Sequence, residues 1–314
     1  MLSNEDLLKL QDRISPEHLG KRLELQAEHS ALRFSPTGLH IYWENMDLLG
    51  PLLKAFLQVC GVFHRATRNA FDYEVGTVTA PLRALPPAFH GFRILHLSDL
   101  HLEGMFDRGW KLKQVLRSLT YDLCVITGDF RFLTFGDYHE TIARMTELTN
   151  AIDCPHGILA ILGNHDFIEM VPPLEKIGIQ VLLNEAVPIR RGDDAIWIVG
   201  VDDTHWYEVH DLPRALQSVP VEATKILLAH SPEIIPEAHD AGIDFYLCGH
   251  SHGGQICLPG QVPIINNSQC HRRYISGAWT YNDRMVGYTS RGTGNSLLPV
   301  RINSRPEIVL HQLV

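Results

Sequence analysis

The sequence predicts an α/β fold in which a β-sheet carries layers of helices, and two observations lead to this class. From residue 92 onward, short apolar runs that end in polar residues alternate with segments of helical length and spacing, such as 109–119 and 136–151. The composition of the 314 residues, 45% hydrophobic and 20% charged, is that of an ordinary soluble globular protein. A chain of this length forms one large domain or two of average size.

The predicted strands follow one another through the region after residue 92. In chain order, the apolar runs that end in polar residues are FRILHLSDLH, YDLCVITGDF, GILAILGNHD, AIWIVGVDD, TKILLAHSPE and FYLCGHSH. After residue 260 the chain is predicted to form turns and strands, in YISGAWTYN, RMVGYTS and EIVLHQLV, without a strong helix. Strands that alternate with helices indicate a sheet with layers of helices on its flanks.

Residues 1–90 predict a helical N-terminal extension. Ser3 and Asp6 form a capping box that opens one helix, and Ser15 followed by Pro16 opens another. The proline-rich segment PLRALPPAFHG, at 81–91, then predicts a domain boundary. We therefore expect the main domain to cover residues 91–314.

The segment 48–68 predicts a further helix, because its apolar residues follow helical spacing and basic residues come after them. The helix either packs on the main domain or lies in the interface of a membrane, with the basic residues near lipid phosphates. The segment contains Lys54 and Gln58, so its apolar run falls short of the ~18 residues that span a bilayer.

Charge and cysteine content narrow the function classes. The net charge of −9 argues against a broadly basic nucleic-acid face, so we expect no nucleic-acid partner. The six cysteines form no CxxC pair, and Cys124 and Cys248 lie inside apolar runs, where cysteine behaves as a small hydrophobic residue. The N-terminus lacks the layout of a signal peptide. Together these features predict a reduced, cytoplasmic protein.

The predicted strand ends carry the same kind of side chain five times over. These residues are Asp99 and His101, Asp129, the run Asn164-His165-Asp166, His230, and the pair His250 and His252. Each one alone has an ordinary explanation as a turn, a cap or a solvated histidine. Ligands in open α/β sheets, however, bind beyond the carboxyl ends of the strands, so the residues are expected to meet at one rim.

This set of side chains has the chemistry of a two-metal site. Carboxylate and amide oxygens with imidazole nitrogens suit Mn, Fe or Zn, and the lack of cysteine argues against a structural zinc. Two ions about 3.5–4 Å apart share a carboxylate and lower the pKa of a water between them.

The ordered motifs DxH, GD, GNHD, a lone His and GHxH resemble those of the calcineurin-like metallophosphoesterase superfamily over about 92–314. The resemblance implies two packed mixed β-sheets flanked by helices, with a dinuclear metal site at the strand C-terminal ends. By position, Asp99, His101, Asp129 and His252 would hold one ion, and Asp129, Asn164, His230 and His250 the other. His165 would lie beside the ions and stabilise the transition state or protonate the leaving oxygen. Manganese is the favoured metal.

One position departs from the superfamily pattern. Several members have GDxxD, in which the second Asp orients the His of the GNH motif. Here Phe132 takes that place, which leaves open what orients His165; Asp166 is a candidate.

Four arginines are candidates for binding substrate phosphate: Arg131, Arg272, Arg273 and Arg291. Alternatively, each could be a surface arginine that is solvated or paired with an acidic side chain.

Further motifs, SDLHLEG, GHSHGGQICLPG and SRGTGNSLLPVRINSRPEI, resemble a YkuE/YaeI-like subgroup, which includes the chlamydial-type UDP-2,3-diacylglucosamine pyrophosphatase. Because members are commonly membrane-associated through an N-terminal segment, the resemblance favours an interfacial helix at 48–68. It implies peripheral binding at the inner face of the cytoplasmic membrane and a lipid-linked nucleotide as substrate, in lipid A synthesis. The alternatives are a phosphodiesterase or phosphatase for a small soluble compound, and a non-catalytic membrane-bound scaffold of the same fold.

Overall fold

Two six-stranded sheets pack face to face in the computed structural model, which describes residues 3–31, 49–265 and 268–314. Helices cover the outer face of each sheet. This mixed α/β architecture confirms the predicted fold class.

The helices and strands take their bounds as follows. The helices are α1 (Asn4–Ile14), α2 (Pro16–Ala31), α3 (Leu49–Val59), α4 (Phe63–Asn69), α5 (Trp110–Arg117), α6 (His139–Thr149), α7 (Val171–Lys176), α8 (Leu212–Ala215) and α9 (Ile235–Asp240). The strands are β1 (Glu74–Ala80), β2 (Arg93–Leu97), β3 (Leu123–Thr127), β4 (Ile158–Ile161), β5 (Ile179–Val181), β6 (Glu185–Arg191), β7 (Asp194–Gly200), β8 (Thr224–Leu228), β9 (Phe245–Cys248), β10 (Cys257–Leu258), β11 (Val262–Pro263), β12 (Gly277–Tyr281), β13 (Met285–Thr289) and β14 (Glu307–Leu313).

Both sheets are mixed and have parallel centres. The first has the order β1-β14-β2-β3-β4-β5, in which β2 to β5 are parallel and β14 is antiparallel to β2. The second has the order β12-β13-β9-β8-β7-β6, in which β13, β9, β8 and β7 are parallel and the two edge strands are antiparallel to their neighbours. The small antiparallel pair β10-β11 stands apart from both sheets.

The space between the sheets is filled by apolar side chains from both. Ile94 and Val125 of the first sheet share this cluster with Ile226 and Leu247 of the second, and all four are fully buried. The opposite face of the first sheet packs against helices, so its central strands have no solvated face. This is why the runs in the sequence are continuously apolar instead of alternating. All six cysteines are free.

The segment before residue 91 begins as predicted but is not helical throughout. Ser3 caps α1 by accepting a hydrogen bond from the backbone N–H of Asp6 at 3.1 Å, and α2 begins at Pro16. Strand β1, however, pairs along its whole length with β14 in the first sheet. The proline-rich segment that follows buries Leu82 and Phe89 in the core between the sheets. The boundary at residue 90/91 stays a prediction.

The single helix predicted over 48–68 is instead two helices, and Leu48 lies outside the described residues. Helix α3 ends in a Schellman motif: the N–H of Val62 donates to the carbonyl of Leu57, and the N–H of Gly61 donates to that of Gln58. Gly61 adopts a φ of 70°, a conformation that glycine reaches without a Cβ clash. This cap breaks the helix where the apolar spacing alone predicted continuation.

One side of α3 is packed and the other is exposed. Leu57 is buried against Ala66 of α4 and Val300, whereas Leu52, Phe56 and Val59 are exposed. No helix within the described ranges is long and apolar enough to cross a membrane.

Helix α2 is attached to the second sheet by a buried ion pair. The guanidinium of Arg22 is fully buried and lies 3.4 Å from the carboxylate of Asp202, which follows β7. It also stacks on the ring of Tyr207, 3.5 Å from the ring centroid. His18, 3.3 Å from the same carboxylate, is a second partner. These contacts hold the pKa of Asp202 below its ordinary value, although burial alone would raise it.

We expect Arg22→Met to lower the free energy of unfolding by about 3 kcal/mol, because it leaves the Asp202 carboxylate buried without its main counter-charge. Urea unfolding, measured with and without the second substitution Asp202→Asn, checks this. The double variant should recover part of the loss, since it removes the orphaned charge. A single variant as stable as the natural protein would show that the pair does not anchor α2.

Candidate metal centre

The five strand ends meet at one place. Strands β2, β3 and β4 of the first sheet and β8 and β9 of the second each deliver side chains to it. Within the described residues, three groups of buried side chains bring potential ligand atoms within 4.8 Å of one another. The groups are Asp99, His101 and His252; His101, Asp129 and His165; and Asp129, His230 and His250.

The carboxylate of Asp129 lies between the groups. Its Oδ2 atom is 3.3 Å from Nε2 of His230, 3.7 Å from Nε2 of His101 and 3.9 Å from Nε2 of His165. Because β8 carries His230 and β2 carries His101, this one carboxylate joins the two sheets at their rim. It is thus placed where a bridging ligand would have to be.

The remaining candidate ligands lie on either side of Asp129. On one side, Nε2 of His252 is 3.1 Å from Nε2 of His101 and 3.5 Å from Oδ1 of Asp99. On the other, Oδ1 of Asn164 is 3.1 Å from Nε2 of His230. The ring of His250 lies 5.0 Å from that of His230, between centroids. All the predicted ligand positions are therefore neighbours.

The donor set fits divalent cations. Burial of so many polar atoms costs free energy unless each atom has an interaction partner. A cation can be the common partner of a carboxylate and two neighbouring imidazole nitrogens. Nitrogen and oxygen donors without a thiolate suit first-row divalent metals. His230 donates from Nδ1 to the carbonyl of Thr127, at 2.8 Å, and His101 donates from Nδ1 to that of Arg131, at 2.5 Å. Such contacts orient a ligating imidazole and direct its Nε2 atom into the site.

Burial and mutual attraction shift the pKa values of the cluster. Burial opposes the ionisation of Asp129, but the imidazoles of His230 and His165 outweigh it and hold the pKa of this carboxyl well below its ordinary value. Burial together with the imidazole of His101 and the charge of Arg301 keeps the pKa of His252 well below its ordinary value. These shifts favour the metal-binding forms of Asp129 and His252, a carboxylate and a neutral imidazole, whereas the charge of Asp129 outweighs burial and raises the pKa of His230 well above its ordinary value.

The backbone is strained at the predicted ligands. Asp99, His101, Asp129, His250 and His252 all have φ between 42° and 68°. Asp and His tolerate this left-handed region better than most residues, at about 1 kcal/mol each. Gly249 is required for a different reason, because a Cβ there would overlap Oγ of Ser98 and Oδ2 of Asp99. The glycine between β9 and its histidines thus admits the carboxylate of the first motif.

The structure identifies what orients His165. Its Nδ1 atom is 3.0 Å from the backbone carbonyl of Phe132, and its backbone N–H donates to Oδ1 of Asp129 at 3.0 Å. The residue that replaces the expected aspartate therefore supplies a main-chain acceptor in place of a carboxylate. A carbonyl fixes the ring as a carboxylate would, but without a full negative charge.

Asp166 has a different role from the one considered for it. Its carboxylate accepts backbone N–H bonds from the loop after β3 and from Gly163, at 2.8 to 3.2 Å. It therefore joins the GD and GNHD loops to each other and does not touch the His165 ring in any of these contacts.

Two of the predicted phosphate-binding arginines are occupied elsewhere. Arg131 is buried, stacks on Phe167 and donates hydrogen bonds to the carbonyls of Phe135, at 2.7 Å, and Gly136, at 3.2 Å. Arg291 forms ion pairs with Glu74 and Glu307, at 2.6 and 2.7 Å. These contacts engage both guanidinium groups, and the phosphate-binding roles of Arg131 and Arg291 stay predictions. Arg272 and Arg273 are exposed, and their roles stay predictions.

Two buried arginines behind the site were not predicted. Arg301 donates to the carbonyl of His252 at 2.8 Å, and Arg22 donates to that of Asp166 at 3.0 Å. Tyr207, on which Arg22 stacks, donates to the carbonyl of Asn164 at 3.1 Å. A signal for Arg301 exists in the sequence, since it interrupts the apolar run LLPVRI, whereas nothing near Arg22 distinguishes it from a surface helix residue.

Comparison with known proteins agrees with this geometry. The Calcineurin-like phosphoesterase pattern matches residues 92–254, which include all five strand ends. The uncharacterized metallophosphoesterase YkoQ of Bacillus subtilis (strain 168) is 30% identical, over 82% of this chain and 97% of its own. Phosphodiesterase YaeI of Escherichia coli (strain K12) is 28% identical, over 71% of this chain and 82% of its own.

A third relative is UDP-2,3-diacylglucosamine pyrophosphatase LpxG of Chlamydia trachomatis serovar D, which is 27% identical over 72% of this chain and 85% of its own. The match to the family pattern and the extent of the similarity to YkoQ identify the family. The chain belongs to the calcineurin-like metallophosphoesterases, hydrolases that act on phosphoester bonds.

Proposed function

We propose that the protein hydrolyses a phosphodiester or a pyrophosphate with the help of two divalent cations. The observation that carries the proposal is the convergence of buried nitrogen and oxygen donors, from both sheets, on the carboxylate of Asp129. A protein that kept only the fold would be expected to have lost one or more of these side chains. None of the eight predicted ligand and catalytic positions has lost its donor.

The donors divide into two sets that share Asp129. Asp99, His101 and His252 would hold one cation with Asp129, and Asn164, His230 and His250 the other. The two sets lie on opposite sides of the shared carboxylate, which supports the division. Manganese remains the favoured metal among those that accept this donor set.

The chain's own residues would position the substrate phosphate and move a proton. An activated water and screening of the charge on the phosphate oxygens would come from divalent cations held by the two donor sets. His165 donates from Nδ1 to the carbonyl of Phe132, so Nε2 faces the site. In the imidazolium form, with both ring nitrogens protonated, His165 would give its Nε2 proton to the leaving oxygen as the bond to phosphorus breaks and would return to the neutral imidazole.

The preferred substrate is a lipid-linked nucleotide such as UDP-2,3-diacylglucosamine, which would place the enzyme in lipid A synthesis. The similarity to LpxG supports this choice. The alternative is a small soluble phosphodiester, which the similarity to Phosphodiesterase YaeI supports. The net charge of −9 argues against a nucleic-acid substrate.

If the substrate is a lipid-linked nucleotide, we expect the protein to bind peripherally to the inner face of the cytoplasmic membrane. Helix α3 exposes Leu52, Phe56 and Val59, by 64 to 88% of their surfaces, and exposed Arg65 and Arg68 lie on α4 directly after it. Apolar side chains beside basic ones are the pattern of a helix that binds an anionic membrane surface.

Asp129→Ala should abolish hydrolysis, because it removes the ligand shared by both proposed cation sites. The measurement is hydrolysis of bis-p-nitrophenyl phosphate and UDP-2,3-diacylglucosamine, side by side with added Mn²⁺ and after chelation of the metal. Asp137→Ala, at an exposed carboxylate, is the control. Faster release of UMP from the lipid nucleotide than of p-nitrophenolate from the diester would support the preferred substrate. Full activity in Asp129→Ala would overturn the proposed chemistry.

His165→Ala should lower kcat more for esters with alkyl leaving groups than for p-nitrophenyl esters. The reason is that p-nitrophenolate leaves without protonation, whereas an alkoxide needs a proton, and general acid catalysis contributes about 10²–10⁴-fold. His139→Ala, at an exposed imidazole, is the matched control. An equal loss for both leaving groups would assign His165 to transition-state stabilisation alone.

Leu52→Glu combined with Val59→Glu should release the protein from vesicles of phosphatidylglycerol and phosphatidylethanolamine, because it places charge on the exposed face of α3. Cosedimentation measures the bound fraction. Val221→Glu, at an exposed valine outside α3 and α4, controls for added negative charge. Unchanged binding, or no binding by the natural protein, would favour a helix that only packs on the main domain.

A further inference from the structure

A cavity of about 300 Å³ adjoins the candidate metal centre and differs from it in character. One part of its lining is polar and belongs to the centre, with Asp129, His165, His250 and His252. The other part is apolar and includes Ile256, Leu297 and the side chains of two further segments outside the sheets. Helix α3 contributes Leu53, Phe56 and Leu57, and the loop after β11 contributes Ile264 and Ile265.

The apolar side of the cavity is not the inside of a packed core. Phe56, Ile264 and Ile265 line it and yet are 64, 59 and 57% exposed. Large apolar side chains that stay exposed together usually mark a surface that binds something apolar. The volume lies at the lower end of the range for ligand pockets, about 300–1,000 Å³.

A small polar phosphoester would gain no binding free energy from the apolar part of the lining. A substrate with its phosphate near Asp129 and a hydrocarbon chain attached would place the chain against α3 without leaving the cavity. The polar and apolar parts of the lining thus match the two ends of one amphipathic molecule. Because both parts line the same cavity, we expect the hydrocarbon chain of the substrate itself to occupy the apolar part.

We propose that the cavity between α3 and the loop after β11 holds an acyl or alkyl chain of the substrate whose phosphate is hydrolysed at the metal centre. This inference rests on the proposed function and adds a requirement to it: the substrate carries a hydrocarbon chain close to the phosphate. Phe56 and Ile265 are the binding residues at the mouth, and Leu53 lies on the same helix face one turn earlier.

The test uses alkyl p-nitrophenyl phosphates with methyl, butyl, hexyl and octyl chains, each below its micelle concentration and without vesicles. Water attacks phosphorus, the bond to the p-nitrophenyl oxygen breaks, and the alkyl phosphate and p-nitrophenolate are released. Each methylene that enters the cavity should raise kcat/KM by about two- to fourfold until the cavity is full. The gain should appear as a lower KM, since the chain binds equally in the ground state and the transition state.

Matched variants assign the effect to the cavity. Phe56→Ala and Ile265→Ala should reduce the gain per methylene, with each variant normalised to its own rate on the methyl ester. Leu52→Ala, on the same helix and 65% exposed but not part of the lining, should keep the gain of the natural protein. Because these side chains are exposed, the substitutions should leave folding intact.

The outcomes separate this inference from the proposed function. Hydrolysis of the methyl ester without dependence on chain length overturns the chain-binding site and leaves the phosphoesterase function standing. A dependence on chain length that survives in Phe56→Ala and Ile265→Ala also overturns the assignment to this cavity. If the metal-supplemented protein hydrolyses none of the esters, the proposed function fails, and the inference fails with it.

Discussion

The buried carboxylate of Asp129 and the imidazoles around it join the two sheets at one rim. His101 comes from the first sheet and His230 from the second, so the two sheets must end at the same rim for both to reach one oxygen atom. Such a cluster is costly to bury unless every polar group shares a partner. The local strain fits this view, because several of these residues adopt left-handed backbone conformations that only a well-packed surrounding can hold.

Two arginines outside the sheets support the loops that carry the predicted ligands. Arg22, in the second helix, and Arg301, close to the C-terminus, each donate a hydrogen bond to a backbone carbonyl in a loop that carries predicted ligands. Buried guanidinium groups need such acceptors, and their planar shape lets one side chain hold several groups at once. Strand β1 also joins the first sheet by pairing with β14, so both α2 and β1 contact the sheets that carry the rim.

The metal centre and the surface beside it place different demands on a substrate. The centre requires a phosphate and is common to a family whose members differ in what they hydrolyse. In our proposal, specificity comes from the surrounding segments, which here include helix α3 and the loop after β11, with exposed Phe56 and Ile265. The same exposed face would also be available to a membrane surface, so chain binding and membrane binding would reinforce each other.

The α/β class, the strands that carry the ligand motifs and the set of rim residues were predicted from the amino-acid sequence, because buried strands are continuously apolar and the ligand motifs follow them directly. The break at Gly61 and strand β1 were not predicted, since a helix cap and an added strand depend on hydrogen bonds that apolar spacing does not reveal. The contacts made by individual residues of the loops could not be predicted from the sequence. Phe132 orients His165 through a backbone carbonyl, and Arg131 donates to the carbonyls of Phe135 and Gly136 in its own loop. Every residue has a backbone carbonyl, so the residue type at position 132 does not indicate that its carbonyl accepts a hydrogen bond. The long side chain of arginine can reach many acceptors, so its contacts depend on which groups lie nearby in the folded protein.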